Sequence, residues 1–542
     1  MKTCAHIQFH SLSLYALLLI VSIPTVVFSQ EGQHIKGRIL EGEEGNPIAY
    51  ATIQVCSEAY GALSNELGEF DLYLPARFSG DSLCISSIGY QDLRVSISSL
   101  ASGQVLTLSL EPSPFFVDSV NIAEKQGKLP SAKNLVRRAL RRILLNYPQE
   151  AFVLTGYYRD YVRQDTGYIN LFEAALSLWD PGFRQKVIEK GQGKILQTRY
   201  RESLQVDTLV AGAYRKNFKA IPSFDMPAYG GNEFSILQAH DPIRNHKVQS
   251  FSFVYRITKN FIPNHLFELD SILIQGEVPI YQISFVLNAD RVRLFTSLPK
   301  AQKAKLVKGN IWIRSDTYGI VKFEYSNFFE KEPEKKRYEI AIEYQELQEK
   351  LYLKYISMNN YFEMNDSTMA PFEVSGVRII NGKDQIVLRF NRIPDPDPLA
   401  NPYLFKLNYA KQEFEVTKSE PIEPNSVILT VPRIEKALLA DSLVEGSSVQ
   451  KEELERLLFS DVLRFNIHPS VCDTHGISIG GYPKKGMYQF REWFINEIDS
   501  QPATAPIDKM VKLKPLYLQA KEDDPSFWDS FTVMLNAPLK RE

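Results

Sequence analysis

Hydrophobic and polar residues alternate along most of this chain with a period of two, the spacing that sends successive side chains to opposite faces of a β-strand. From His34 to Glu111 the alternating runs are short and punctuated by Gly and Pro. Residues 35–40 read as a strand and 43–47 as a turn, and in the next strand Ala51, Ile53 and Val55 share one face. The turn 64–68 follows, where Gly68 supplies a positive φ and Asn65 bonds its own backbone. Phe70, Leu72 and Leu74, then Leu83, Ile85 and Ile88, then 105–110 complete a set of strands that fits a two-sheet sandwich over 34–111.

Longer strands fill 152–414. Tyr281, Ile283 and Phe285 share a face, as do Ile311 and Ile313; Val321, Phe323 and Tyr325 lie opposite Lys322 and Glu324; Tyr338, Ile340, Ile342 and Tyr344 lie opposite Glu339 and Glu343. Such strands predict an antiparallel sheet with one face buried and the other wet. Residues 309–321 read as a hairpin with a polar turn. Ahead of the sheet, Ser131 opens a helix running to Asn146, with Leu135, Val136, Ala139, Leu140 and Ile143 at helical spacing. The Pro-rich stretch 394–402 is too stiff for a strand and marks a loop or boundary. Beyond Glu415 the character changes. Residues 433–443 and 448–463 have helical spacing, and the aromatic-rich run 488–494 and the pair Phe527-Trp528 tuck the tail against the sheet.

The pattern predicts a mainly β protein in five parts. These are a signal peptide (1–29), a β-sandwich (34–111), a linker (112–130), a large antiparallel sheet domain with an entry helix (131–414), and a mixed helical and aromatic tail (415–542). In the first part Lys2 precedes the apolar stretch 14–21, and small residues lead up to Ser29. This reads as a cleavable secretory signal, too short in its apolar core to span a bilayer. Cys4 lies before the apolar stretch and so is not the lipid-bearing residue of a lipoprotein. With no other long apolar stretch, no transmembrane helix is expected in the mature chain, which is placed in the periplasm or in association with the outer membrane.

The string Ile35-x-Gly37, Pro47-Ile48-Ala49-x-Ala51-x-Ile53-x-Val55, Asn65-x-x-Gly68-x-Phe70 and Ile88-Gly89-Tyr90 resembles the carboxypeptidase-regulatory-like domain. That resemblance implies a transthyretin-like β-sandwich, of a kind also found at the front of many TonB-dependent outer-membrane receptors, acting as a non-catalytic docking or folding module. Ser64-Asn65 stands where the family usually has Thr-Asp, a change that keeps the turn chemistry. The hairpin at 309–321 more weakly resembles hairpins in the curved sheets of lipoprotein-carrier-like proteins, and in uncharacterised envelope proteins that begin with such a sandwich.

Composition narrows the function classes. Lys plus Arg is 62 and Asp plus Glu is 64, a net charge of −2, which disfavours a dedicated nucleic-acid binder. An aromatic share of 12% agrees with β-structure. Cys56, Cys84 and Cys472 remain after the signal; they do not make a disulfide framework, and whether Cys56 pairs with Cys84 stays open. The charge is uneven, because the polar side of the entry helix carries Lys133, Arg137, Arg138, Arg141 and Arg142 with no acid among them. These five are a candidate patch for an anionic partner such as lipid headgroups, lipopolysaccharide phosphate or an acidic protein; the plainer alternative is a solvated face paired with acids elsewhere.

Four catalytic look-alikes fail on context. Gly476-Ile477-Ser478-Ile479-Gly480 fits the hydrolase elbow, but the following 481–486 cannot be its helix and the last histidine, His475, precedes the serine. His265-x-x-Glu268 has zinc-peptidase spacing without a third ligand. Cys472-Asp473-Thr474-His475 has no second pair, and Asp395 with Asp397 has no opposing carboxylate. Irregular charged loops, such as 330–337, disfavour a transmembrane barrel. The reading is a non-catalytic exported envelope protein that acts through binding or assembly with an envelope protein or lipid, without metal or cofactor. A carrier of a hydrophobic ligand in a curved sheet is the alternative, and a hydrolase the third choice.

Overall fold

In the first unit the alternation closes into two facing sheets of four strands each. In one, Gln33–Glu41 pairs antiparallel with Asn46–Pro47 and Glu69–Leu74, and parallel with Val105–Leu110. The other runs in the order Gly61–Leu63, Thr52–Val55, Ser82–Ser86, Leu93–Ser96. Ile35, Ile53, Phe70, Leu72, Leu83 and Ile85 fill the space between them. The turn behaves as its sequence indicates: Gly68 has φ 73°, and the Asn65 Oδ1 accepts from the amides of Leu67 and Glu69 at 2.9 and 2.8 Å. The Cys56–Cys84 pairing left open by the sequence forms, clipping adjacent strands together.

The computed structural model describes residues 32–115, 131–200, 232–248, 254, 256–288, 306–434 and 463–531, less short interruptions within those ranges. Residues 1–29, expected as a signal, most of the expected linker and nearly all of the two helical stretches expected at 433–443 and 448–463 lie outside the described residues.

The large sheet has eleven strands. Ten are long: β1 (Phe152–Gln164), β2 (Gly167–Asp180), β3 (Gln192–Tyr200), β4 (His265–Gln275), β5 (Val278–Leu287), β6 (Val307–Arg314), β7 (Ile320–Phe328), β8 (Lys336–Leu347), β9 (Lys350–Asn365) and β10 (Lys484–Asp499). The eleventh, Pro114–Phe115, leaves the sandwich and pairs with β4 at the edge. The order is β3-β2-β1-β10-β9-β8-β7-β6-β5-β4, antiparallel throughout. Among the described residues two meanders, β1 to β3 and β4 to β9, are joined in the sheet through β10, where Phe494 stands opposite Tyr157 on one side and Tyr355 on the other.

One face of this sheet is the main core. Ile283, Phe285, Ile311, Phe323, Tyr325 and Ile340 are buried there, as their alternation requires. Against them pack α1 (Ala132–Arg141), the short turn Ile143–Asn146 and α2 (Glu233–Ala239). The expected helix to Asn146 is therefore broken at Arg142, and Ser131 stands at its N-cap without making the side-chain bond.

The opposite face differs from the expected wet surface. At its centre Glu492 and Glu173 are fully buried, Arg159 is nearly so, and Lys322 and Glu343 are buried too. The cause is the sandwich. Tyr50, at a turn with φ 58°, lays its ring against Tyr355 and Phe494, and Leu63 joins the same cluster. The last helix, α3 (Pro525–Ser530), covers the neighbouring area with Trp528.

The chain also divides differently from the expected boundary at 414. The first meanders end at Asn365, and two small sheets between there and Ile467 enclose a core of their own around Phe390, Leu407, Leu429 and Ile434. The Pro-rich stretch becomes two helical turns, Pro396–Leu399 and Pro402–Leu404. The tail supplies β10, in the middle of the large sheet.

Candidate functional site

The cationic face of α1 is built by its apolar one. Leu135, Val136, Ala139, Leu140 and Ile143 are buried against the sheet, which fixes the roll of the helix and turns Lys133, Arg138, Arg141 and Arg142 to solvent, with Arg137 half-buried. The sequence-identified patch thus comes together on one surface. Two members are held in place: Arg138 donates to the Tyr318 hydroxyl at 2.9 Å, and the Arg138 and Arg142 guanidiniums lie 5.5 and 5.2 Å from the Tyr318 ring. Arg142 also donates to the Thr317 carbonyl at 3.3 Å, and Arg137 donates to Asn134 on its own helix. The acids of the adjoining turn and strand are already taken, since Arg314 holds both Asp316 and Glu346.

The second candidate is a hollow between α2 and the sheet, lined by Phe152, Leu154, Leu178, Val187, Ile356 and Trp493, with the polar groups of Asp180, Arg244, Asp241 and Tyr344 at its border. Arg244 grips both Asp180 oxygens at 2.8 and 2.6 Å, and Tyr344 donates to Asp241 at 2.6 Å. Burial raises the Asp241 pKa against the Tyr344, backbone and Arg244 contacts that lower it. The free space is about 30 Å³, room for a water molecule or two rather than an acyl chain.

The look-alike motifs have structural uses. His265 and Glu268 are three apart on one strand, so His265 faces the core and Glu268 faces solvent, and they cannot share a metal. The His265 Nδ1 donates to the Phe261 carbonyl at 2.9 Å, inside a nest of Phe261, Phe285 and Tyr325 rings. Asp473 caps a turn, accepting from the amides of His475 and Ile477 at 2.9 Å each. Asp395 accepts from the Asp397 amide at 3.1 Å. Among the described residues no helix is long and apolar enough to cross a membrane.

Sequence reasoning missed the charged layer under the sandwich. Glu492 accepts from Arg159, from the Tyr161 hydroxyl at 3.3 Å and from the Tyr50 hydroxyl at 3.4 Å, while Tyr50 and Ser357 hydroxyls meet at 2.8 Å. Beside it Arg199 holds both oxygens of Glu173 at 3.1 and 2.8 Å and lies 4.6 Å from the Trp528 ring. The available signal was the run 488–494, in which bulky side chains occupy both faces of a single strand.

Burial pushes the His265 pKa down to about 4 and that of His240 down to about 3. A histidine kept neutral when folded contributes stability that is complete above its unfolded pKa near 6.5 and is lost as pH falls toward the folded value. At pH 5 the His265 share of this loss is about 2 kcal/mol. Glu233 and Asp241, carboxyls raised by burial, act in the opposite direction. The clean comparison is therefore between wild type and His265→Phe: urea titrations from pH 7 to 5 should show a shallower fall in the variant, and parallel profiles would contradict the neutral assignment.

No family model and no curated protein matches the chain. Solved structures similar to parts of it include a LolA superfamily protein from Nitrosomonas europaea, with 11% identity over 43% of this chain and 86% of that one, at a TM-score of 0.17. Another is a DUF1329 family protein from Desulfovibrio piger, with 7% identity over 43% of this chain and 87% of that one, at a TM-score of 0.19. At such scores neither likeness carries an argument.

Proposed function

We propose that this protein is a non-catalytic component of the cell envelope, exported to the periplasm or outer membrane, that acts through binding or assembly with its N-terminal sandwich as a docking and folding module. The observation that carries this reading is the seat of Tyr50. A side chain from the sandwich, in the left-handed backbone conformation that costs a non-glycine residue about 1–2 kcal/mol, reaches a buried charge pair on the sheet. The module's first docking partner is its own chain, and the fit of its motif to the regulatory-like family agrees with that role. The body so formed offers α1 to solvent as a rigid cationic surface.

Tyr50→Phe, which keeps the ring and removes the hydroxyl, should cost about 1.5 kcal/mol in urea unfolding; an unchanged midpoint would mean that the hydroxyl contacts do not hold the module. Crosslinking in intact envelope, followed by recovery of the full chain, should return a specific protein or lipid adduct. Near-stoichiometric zinc in the purified protein, or labelling of Ser478 by a serine-directed probe, would instead point to a hydrolase.

One observation favours carriage of a hydrophobic ligand as the second reading: the hollow under α2 is apolar on most sides and abuts the sheet. A lipid would have to widen it by displacing α2. Native mass measurement after gentle purification decides between the two, since a co-purifying lipid supports carriage and a bare chain counts against it.

A further inference from the structure

Resting on the binding reading above, we propose that the cationic face of α1 is a docking surface for the phosphate-bearing headgroups of an anionic lipid membrane. Three observations bear on the choice of partner.

The first is the contrast with the remaining surface. Several exposed cations elsewhere in the chain are paired, Arg38 with Glu69, Lys186 with Glu189, Lys418 with Glu420, Lys484 with Glu363, and exposed ones that make no ion pair among the described residues, such as Lys308, Lys411 and Arg433, are scattered along the sequence rather than gathered on one helix. On α1, Lys133, Arg137, Arg141 and Arg142 make no ion pair with an acid among the described residues, and the acids near Arg142 are occupied by Arg314. With a net charge of −2 the whole molecule provides no general attraction to anions, so any attraction originates at this face.

The second is the side-chain chemistry. Four of the five cations are arginines, whose planar forks match phosphate oxygens in pairs. Arg138 and Arg142 are already ordered over Tyr318, so part of the entropy of arranging them is lost on folding and not on binding.

The third is an apolar neighbour. At the C-terminal end of the same surface Leu145 is 60% exposed, and Lys350 donates to its carbonyl at 2.7 Å. A cationic helix face ending in an exposed leucine and a further lysine suits a headgroup boundary, where charge meets phosphate and the apolar side chain reaches the acyl region. An acidic protein would use the cations and leave Leu145 without a role.

The test is flotation of the full mature chain with vesicles of phosphatidylcholine, alone or doped with phosphatidylglycerol, at low and high salt. The expected result is binding to the doped vesicles only, lost at high salt. Lys133→Gln, Arg137→Gln and Arg141→Gln combined should weaken it about 100-fold, at about fivefold per cation, with an unchanged melting temperature, because these side chains hold no buried contact. Arg137→Lys with Arg141→Lys should retain most of the binding. The proposal is overturned by equal binding of the triple variant, by equal binding to undoped vesicles, or by salt-sensitive binding to polyglutamate with none to vesicles, which would identify an acidic protein. An envelope crosslink formed by a wild-type chain that binds no vesicles, and retained in the triple variant, would defeat this inference and leave the binding reading standing.

Discussion

Glu492→Gln should destabilise the protein by about 3–5 kcal/mol. The carboxylate is fully buried and the Arg159 guanidinium that donates to it is 1% exposed. Burial alone would lower the Arg159 pKa, but the Glu492 charge outweighs it and holds the guanidinium protonated above its usual range. Neutralising Glu492 leaves that cation in a site closed by Tyr50, Tyr161 and Phe494 and almost wholly shielded from solvent. A buried pair is not stabilising in itself, because both charges lost their hydration on folding. The double variant Arg159→Met with Glu492→Leu should therefore recover most of the loss. Urea unfolding of the three proteins separates the cases: a single variant that unfolds like wild type would mean that solvent reaches the pair, and so that the sandwich does not seal it.

The next residue gives the second large effect, on the other face. Trp493 is 1% exposed, meets the Phe234 ring edge-on at 4.9 Å, and lines the hollow beside Leu154 and Ile356. Gly156 on β1 makes room for it, since a Cβ there would lie 2.9 Å from the indole nitrogen and 2.2 Å from the Phe494 carbonyl oxygen. Trp493→Ala should cost about 3–5 kcal/mol, the transfer term plus a cavity added to one already present. Because β10 joins the two meanders in the sheet, the loss should appear as a lower midpoint of the whole sheet's unfolding. A change confined to the tail, with β1 and β9 amides still protected in hydrogen exchange, would contradict the strand order.

These two residues also mark where the sequence stops being legible. Alternation located the sandwich strands, the hairpin around 315–319 and the buried face of α1, because each depends on neighbours a few residues away. The place of β10 between β1 and β9 depends on contacts more than a hundred residues distant, and no local pattern encodes it. The run Tyr488 to Phe494 did carry a hint, since aromatic residues on both faces of one strand indicate burial on both sides. Glu324, Glu339 and Glu343 read as a wet face because only the alternation is local. Their alternation is correct, but the cover over the sheet's centre comes from Tyr50 and Leu63, in a different unit. The patch on α1 was legible as charge; that Arg137, Arg141 and Arg142 make no ion pair with an acid among the described residues was not, because pairing is a property of the folded surface.

Hydroxyl-radical footprinting of the full chain reports whether the sandwich is docked on the sheet. Tyr403, 81% exposed, is the internal standard for a reactive ring. Tyr355 sits on the sheet under the sandwich, fully buried, and Tyr50 on the sandwich itself is 8% exposed. With the sandwich docked, Tyr50 and Tyr355 should both be labelled far more slowly than Tyr403. Labelling of Tyr50 and Tyr355 at a rate near that of Tyr403 would contradict that docking.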